Sequence, residues 1–246
     1  MFTLALALSL LVGVTLGLLG GGGSILTLPI LVYIVGMEEK AAIAVSLIVV
    51  GITSATALIA HARRGNVQWR IGLIFAAAGA TGAFGGGWLA AYIPGVWLVR
   101  GFLVMMVATG IAMIRGRRTD SDQGHAPQAP LKIVLEGLVV GVVTGLVGAG
   151  GGFLVVPALA LLGGLPMQKA VGTSLLVIAI KSAFGYLGHA THVDVDWVIA
   201  GSLSASAIVG SLVGGLFANK VPAGSLRMAF GTFVLVMAAL MGWQQL

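Results

Sequence analysis

The sequence predicts an all-α polytopic membrane protein built from two inverted-topology repeats. The chain of 246 residues is 59% hydrophobic and only 8% charged, whereas a soluble domain carries about 25% charged residues. Long apolar segments alternate with short polar loops, and the second half of the chain repeats the first at a constant offset. We therefore expect residues 1–246 to form a single membrane domain.

The first half predicts a glycine-broken hairpin followed by three transmembrane helices. Residues 4–19 are apolar and would form a helix about 24 Å long. A glycine run follows at 20–23, and an apolar return segment covers 25–35. Three longer apolar segments come next, at residues 41–60, 71–92 and 96–114. Residues 115–131 are the only long polar stretch and are predicted to form a flexible linker.

The second half begins this pattern again. The offset, 148 − 20 = 128, holds without a gap. It matches glycine, proline, histidine and tryptophan, pairing Gly22 with Gly150, Pro29 with Pro157, His61 with His189 and Trp69 with Trp197. The sequence therefore predicts repeat one at 4–116 and repeat two at 132–244.

The positive charges indicate that the two repeats are inverted. One loop of repeat one holds Arg63, Arg64 and Arg70, whereas the equivalent loop of repeat two holds no lysine or arginine. By the positive-inside rule the first loop is cytoplasmic and the second external. The linker is also basic and is predicted to be cytoplasmic, with both termini external. Each repeat then has odd parity, as in many secondary transporters.

The depth of the two glycine hairpins has two interpretations. The return arm of about 11 residues spans only about 16 Å, against a hydrocarbon core of about 30 Å. This favours re-entrant-like hairpins whose tips meet near the midplane. The alternative is a tilted short helix with its glycine turn at the far interface.

The hairpin tips are the first predicted site. Broken backbone at membrane depth is tolerated only where it is buried in protein or lines a cavity. Glycine lets bare N–H groups approach a ligand, and a short helix beginning after each turn would add its positive dipole end. The predicted substrate-binding residues of the tips are Gly20, Gly21, Gly22, Gly23, Ser24, Gly148, Gly150, Gly151 and Gly152.

Lys181 is the second predicted element of this site. It lies in the middle of an apolar segment, where a lysine costs about 2.5–3.5 kcal/mol even on mild insertion scales. No acidic residue lies deep in any span to pair with it, so a substrate anion is the favoured partner, with backbone carbonyls as the alternative.

Hydroxyl groups share this helix and its repeat equivalent. They belong to Thr173, Ser174 and Ser182, and to Ser46, Thr53 and Ser54. We predict Ser46, Thr53, Thr173 and Ser174 as substrate ligands, although such hydroxyls often bond to their own helix. Backbone N–H groups, hydroxyls and one ammonium together suit a small oxyanion rather than a cation.

His61 and His189 occupy equivalent positions and have two interpretations. Histidine titrates near neutral pH, so they could serve in proton coupling or gating. Alternatively, they form hydrogen bonds at helix ends. The acidic and histidine residues at 192–196 are read as a solvated turn, so no metal site is predicted.

No catalytic site or nucleic-acid surface is predicted. The chain lacks cysteine, its glycine runs lack the lysine-serine/threonine end of a P-loop, and no nucleophile–base pair lies within the spans. No cofactor is expected, and the basic residues cluster at helix ends without interleaved aromatic residues.

A stripe of small residues predicts close helix packing. It follows one helix face at i, i+4 spacing and comprises Ile74, Ala78, Gly82 and Gly86 with the equivalent Ser202, Ser206, Gly210 and Gly214. Such stripes let helices approach backbone to backbone, within one subunit or between the subunits of a homo-oligomer.

The glycine motifs resemble a duplicated family signature. The residues are Gly17-Leu18-Leu19-Gly20-Gly21-Gly22-Gly23-Ser24 with Pro29, and Gly145-Leu146-Val147-Gly148-Ala149-Gly150-Gly151-Gly152 with Pro157. They resemble the sulfite exporter TauE/SafE family over nearly the whole chain. The resemblance implies a bacterial inner-membrane permease that moves sulfite or sulfonate-like anions, mostly outward. We expect alternating access around the tips, with a passive anion channel or a carboxylate permease as alternatives.

Overall fold

The structure, a computed structural model, describes residues 2–21, 23–115, 130–147, 152–190, 193–217 and 222–244. In the first half the helices are α1 Phe2–Leu19, α2 Ser24–Pro29, α3 Glu39–Arg63, α4 Trp69–Ala90 and α5 Gly95–Arg115. In the second half they are α6 Pro130–Val147, α7 Gly152–Pro157, α8 Met167–His189, α9 Trp197–Phe217 and α10 Ala223–Gln244.

The helices confirm the all-α polytopic membrane class. Within the described ranges, α1, α3, α4, α5, α8 and α9 are long and apolar enough to cross a membrane. No residue in those ranges is assigned to a strand. The most buried of these helices are α3 and α8, so the core of the molecule lies around this pair.

Each helix of the second half begins 128 residues after its counterpart in the first half. The starting residues pair as Phe2 with Pro130, Ser24 with Gly152, Glu39 with Met167, Trp69 with Trp197 and Gly95 with Ala223. The sequence offset is therefore also an offset of secondary structure. The linker between α5 and α6 lies outside the described residues, apart from Arg115 and residues 130–131.

The return arm of each hairpin changes its winding at a proline. Pro29 ends α2 and is followed by a π-helical turn, Ile30–Val35; Pro157 ends α7 and precedes Ala158–Leu162. Proline has no N–H and clashes with the preceding turn, which favours the wider π winding after it. The first return arm, residues 24–35, is about 18 Å long, close to the predicted length.

The outgoing arm of each hairpin packs against a helix of the other repeat. Helix α1 lies along α9 and α6 lies along α4. A Cβ atom on Gly210 would lie 2.0 Å from the carbonyl oxygen of Leu10, and one on Gly82 would lie 2.4 Å from that of Leu138. The predicted small-residue stripe therefore forms backbone contacts within the subunit.

Repeat-equivalent helices pack antiparallel to each other. Gly51 of α3 faces Ser182 of α8, whereas Gly185, later in α8, faces the earlier Leu47. Helices α5 and α10 follow the same rule, since Gly110 faces Leu235 while Gly242 faces Leu103. This is the relation expected of inverted repeats.

Candidate functional site

The first glycine turn lies against the middle of the fold. Gly20 has φ +75°, a left-handed conformation that favours glycine. A Cβ atom there would lie 2.8 Å from both Ser174 Oγ and the Val171 carbonyl oxygen on α8. The neighbouring Gly23 packs on α1 just as closely, since its Cβ would lie 2.2 Å from the Val12 carbonyl oxygen. Both positions therefore require glycine, because any side chain would clash with the helix packed against the turn.

The two hairpins touch where their short helices begin. A Cβ atom on Gly152, the first residue of α7, would lie 2.9 Å from Gly21 Cα and 3.0 Å from Ser24 Oγ. The same atom would lie 2.8 Å from Ile178 Cδ1 on α8. Gly21, Ser24 and Gly152 thus meet beside α8. The other predicted tip residues, Gly22, Gly148, Gly150 and Gly151, lie outside the described residues.

Lys181 is fully buried one helical turn beyond this contact. It is 1% exposed, and it follows Ile178 by three residues, which places both on adjoining positions of one face of α8. Its stem crosses α4 at Gly79, where a Cβ atom would lie 2.7 Å from Lys181 Cδ. The adjacent Ser182 faces Gly51, the central residue of α3 (Glu39–Arg63). Lys181 therefore lies at mid-depth of the two central helices.

The ammonium of Lys181 has no hydrogen-bond partner in the part of the chain that the structure describes. A buried donor without a partner costs about 1–3 kcal/mol, and more when it is charged. Its repeat equivalent is Thr53, whose hydroxyl donates to the Val49 carbonyl at 2.6 Å. The charge is therefore present in one half only and is not needed to build the repeated fold.

Most of the predicted hydroxyl ligands already donate to backbone carbonyls. The bonds run from Ser24 to Gly21, from Ser46 to Ile43 and from Ser174 to Val171, at 2.7–2.8 Å. Thr173 instead accepts a bond of 2.9 Å from the Gln68 N–H, which ties α8 to the loop before α4. Their hydroxyl oxygens can still accept, so a direct role with substrate remains a prediction.

Ser54 and Ser182 are two of the four buried hydroxyls that lack a partner in the described part of the chain; the others belong to Thr27 and Ser204. Ser54 and Ser182 are both buried, and neither Oγ has a hydrogen-bond partner among the described residues. They occupy equivalent positions in the two repeats, and Ser182 directly follows Lys181. In the sequence they directly follow Thr53 and Lys181, but only the side-chain geometry distinguishes them from the hydroxyls that bond to their own helix.

The two histidines each hold the outgoing arm of a hairpin. His61 Nε2–H donates to the Gly17 carbonyl at 2.9 Å, and His189 Nε2–H donates to the Gly145 carbonyl at 3.1 Å. Both side chains are buried. The geometry matches the interpretation as hydrogen bonds at helix ends, and a role in proton coupling or gating stays a prediction.

The loop before α9 has a capping role. The Asp196 carboxylate accepts the N–H groups of Val198 and Ile199 at 2.9 and 3.0 Å, which caps the first turn of α9. His192, the histidine of this loop, lies outside the described residues.

Comparison with known proteins identifies the family. The sequence profile described as "Sulfite exporter TauE/SafE" matches residues 5–241. The chain belongs to the TauE/SafE family. A "Probable membrane transporter protein" of Xylella fastidiosa (strain Temecula1) is 38% identical over 241 residues, which cover 95% of this chain and 92% of that protein.

More distant relatives carry similar names. The "Probable membrane transporter protein YdhB" of Bacillus subtilis is 28% identical, over 89% of this chain and 91% of its own length. MJ0441 of Methanocaldococcus jannaschii, with the same description, is 30% identical, over 77% of this chain and 74% of its own length. No solved structure gives a significant match. TauE/SafE proteins form a family of membrane transporters, and this chain is a multi-pass member of it.

In this TauE/SafE protein the central groups share one chemical character. Lys181, Ser54 and Ser182 all offer donor hydrogens, and none of these donors has a partner among the described residues. At the touching tips, the Gly20 and Gly21 N–H groups already donate to the Leu16 and Leu19 carbonyls at 2.9 Å, so a role of the tip backbone in substrate binding stays a prediction. The donors of Lys181, Ser54 and Ser182 can bind an anion rich in oxygen atoms, and these three side chains offer nothing to neutralise a cation.

Proposed function

We propose that this TauE/SafE protein is a secondary transporter that carries a small sulfur-containing oxyanion, such as sulfite or a short sulfonate, out across the bacterial inner membrane. The observation that carries the proposal is the Lys181 ammonium, buried at mid-depth without a described partner. An isolated charge in such a place is strongly unfavourable, whereas a bound anion would neutralise it. The equivalent residue of repeat one is Thr53, so the repeated fold does not require a lysine here, and we assign Lys181 to substrate binding.

The donor set favours an anion with several oxygen atoms. The donors are the Lys181 ammonium and the Ser182 hydroxyl of α8 and the Ser54 hydroxyl of α3, all buried without a described partner. The contact between the glycine tips lies one helical turn away along α8. Sulfite and sulfonates present three oxygens on one centre, whereas a carboxylate presents two. We therefore place a tetrahedral or pyramidal oxyanion first and a carboxylate second.

The arrangement of the two halves supports alternating access. Antiparallel packing of α3 with α8 and of α5 with α10 suits two inverted repeats that rock around a central site. In this proposal the linker is cytoplasmic and both termini are external. The inside-negative membrane potential would favour export of the anion by about 2.3 kcal/mol per charge per 100 mV.

Flux into and out of proteoliposomes tests the proposal. Wild type, Lys181→Met and the control Lys169→Met would be compared with sulfite and short sulfonates. Both substitutions remove a lysine charge from α8, but Lys169 lies near the helix start. We expect saturable flux that supports counterflow, and a loss of roughly tenfold or more in Lys181→Met alone, the equivalent of a charge-assisted hydrogen bond.

Each other outcome has a defined meaning. Unchanged flux in Lys181→Met would refute the counter-charge role. Flux that neither saturates nor supports counterflow would indicate a passive channel. Transport of short carboxylates in preference to sulfur oxyanions would correct the substrate class while retaining the site.

A further inference from the structure

A second polar feature lies away from the central site, in an open cleft of about 190 Å³. It lies where the first return arm ends and where α3 and α5 begin. Its lining residues are Val32, Tyr33, Glu39, Val96, Val99 and Arg100. It contains none of the glycine-tip residues and is separate from Lys181, so the proposed transport site does not account for it.

The cleft presents two opposite charges that do not neutralise each other. The Arg100 guanidinium lies 5.2 Å from the centroid of the Trp97 ring, and the Glu39 carboxylate lies over Gly95. Neither forms an ion pair within the described ranges. The adjacent Lys40 is occupied, because its ammonium donates to the Ala91 carbonyl at 2.8 Å. A ligand for this cleft would carry both an anionic and a cationic group.

The repeat shows that the fold does not require this pair. At the offset of 128, Tyr33 corresponds to Leu161, Glu39 to Met167 and Arg100 to Met228. Repeat two has an arginine at the neighbouring position 227 but loses the carboxylate. The same helices therefore form without the charge pair, which points to a role other than structure.

The surroundings place the cleft at the level of lipid headgroups. Tyr92, in the turn between α4 and α5, is 68% exposed, and Trp97, in the first turn of α5, is 62% exposed. Exposed tyrosine and tryptophan side chains mark membrane interfaces. Val96 is exposed beside the two charges, so one ligand could meet polar and apolar surface together. A phospholipid has this division, with its headgroup at the interface and its chains in the core.

We propose that this cleft binds a phospholipid whose headgroup carries a phosphate and a primary ammonium, of the phosphoethanolamine type. The phosphate pairs with the Arg100 guanidinium, which presents a planar set of donors suited to phosphate oxygens. The ammonium donates to the Glu39 carboxylate, and the acyl chains run past Val96. A trimethylammonium headgroup cannot donate such bonds, and a headgroup with phosphate alone leaves Glu39 unpaired.

Native mass spectrometry of the full chain tests the proposal. Detergent-purified protein would be incubated with an equimolar mixture of phosphatidylethanolamine, phosphatidylcholine and phosphatidylglycerol. We expect preferential retention of phosphatidylethanolamine, reduced roughly tenfold by Arg100→Gln. Glu39→Gln should remove the preference for phosphatidylethanolamine over phosphatidylglycerol. The matched controls are Arg115→Gln, at the other end of α5, and Glu38→Gln, outside the cleft.

Three results would overturn the proposal. The first is equal retention of the three lipids by the wild type. The second is an equal loss in the control variants, which would indicate a general charge effect. The third is displacement of the lipid by soluble phosphoethanolamine at a similar concentration, which would assign the cleft to a free solute.

Discussion

A single methyl group at Gly79 should displace the Lys181 side chain without removing its charge. In Gly79→Ala the new Cβ would lie 2.7 Å from Lys181 Cδ, 3.1 Å from Lys181 Cγ and 3.3 Å from the Gly137 carbonyl oxygen. The first distance is far inside van der Waals contact, so the lysine stem must move. Overpacking of this kind costs about 1–3 kcal/mol, and the ammonium would be displaced from its buried position.

A double-mutant cycle isolates the contact. When Lys181 is replaced by alanine, the methyl group at Gly79 meets only the milder contact with Gly137. Alanine is better than glycine within a helix by about 1 kcal/mol, so Gly79→Ala should then be close to neutral. The coupling between the two sites should therefore be about 1–3 kcal/mol.

The assays are the thermal unfolding midpoint in detergent and the KM for oxyanion flux. Gly79→Ala should lower the midpoint and raise the KM in wild type, and should do neither once Lys181 is alanine. Gly85→Ala is the control on the same helix, because a Cβ atom there meets nothing within 4 Å. Equal effects of Gly79→Ala in both backgrounds would refute the placement of Lys181 against α4.

Three further predictions concern hydrogen bonds and helix contacts. Ser182→Ala should weaken oxyanion binding without lowering stability, since its hydroxyl has no described partner. Thr173→Val should instead lower the unfolding midpoint, because it leaves the Gln68 N–H without its acceptor, at a cost of about 1–3 kcal/mol. The reverse pattern would contradict this assignment. Gly210→Ala should prevent folding or cost several kcal/mol, as a Cβ there would lie 2.0 Å from a backbone oxygen, while Gly201→Ala in the same helix should be tolerated, and thermal unfolding of both would show it. His189→Phe should destabilise by about 1–3 kcal/mol through loss of its bond to Gly145, and an unchanged midpoint would show that this bond contributes nothing.

The sequence predicted the helices well because their signals are local. Apolar runs and glycine breaks gave the hairpins and the spans, but α3 extends over Glu39–Arg63 where hydropathy predicted 41–60. Hydropathy reports contact with lipid, whereas a helix continues into the polar interface for as long as its backbone bonds are satisfied. The helix therefore extends beyond the predicted span by two residues at its start and three at its end.

The site was only partly predictable for a different reason. The cost of a midplane charge made Lys181 visible from its position alone. Which hydroxyls are free depends on rotamers, and Ser46 and Ser54 look alike in sequence although only the hydroxyl of Ser54 has no described partner. The Glu39–Arg100 cleft was not predicted, since it brings together residues far apart in the chain.

The crossed packing of the hairpin arms has a consequence for the origin of the chain. Helix α1 lies along α9 and α6 lies along α4, so each repeat covers the outgoing arm of the other. A polypeptide with one repeat alone would leave the glycine face of that arm without the helix that packs against it. It could become stable only beside a second copy. On this reasoning, a half-length ancestor of the chain would have needed to pair with a second copy of itself.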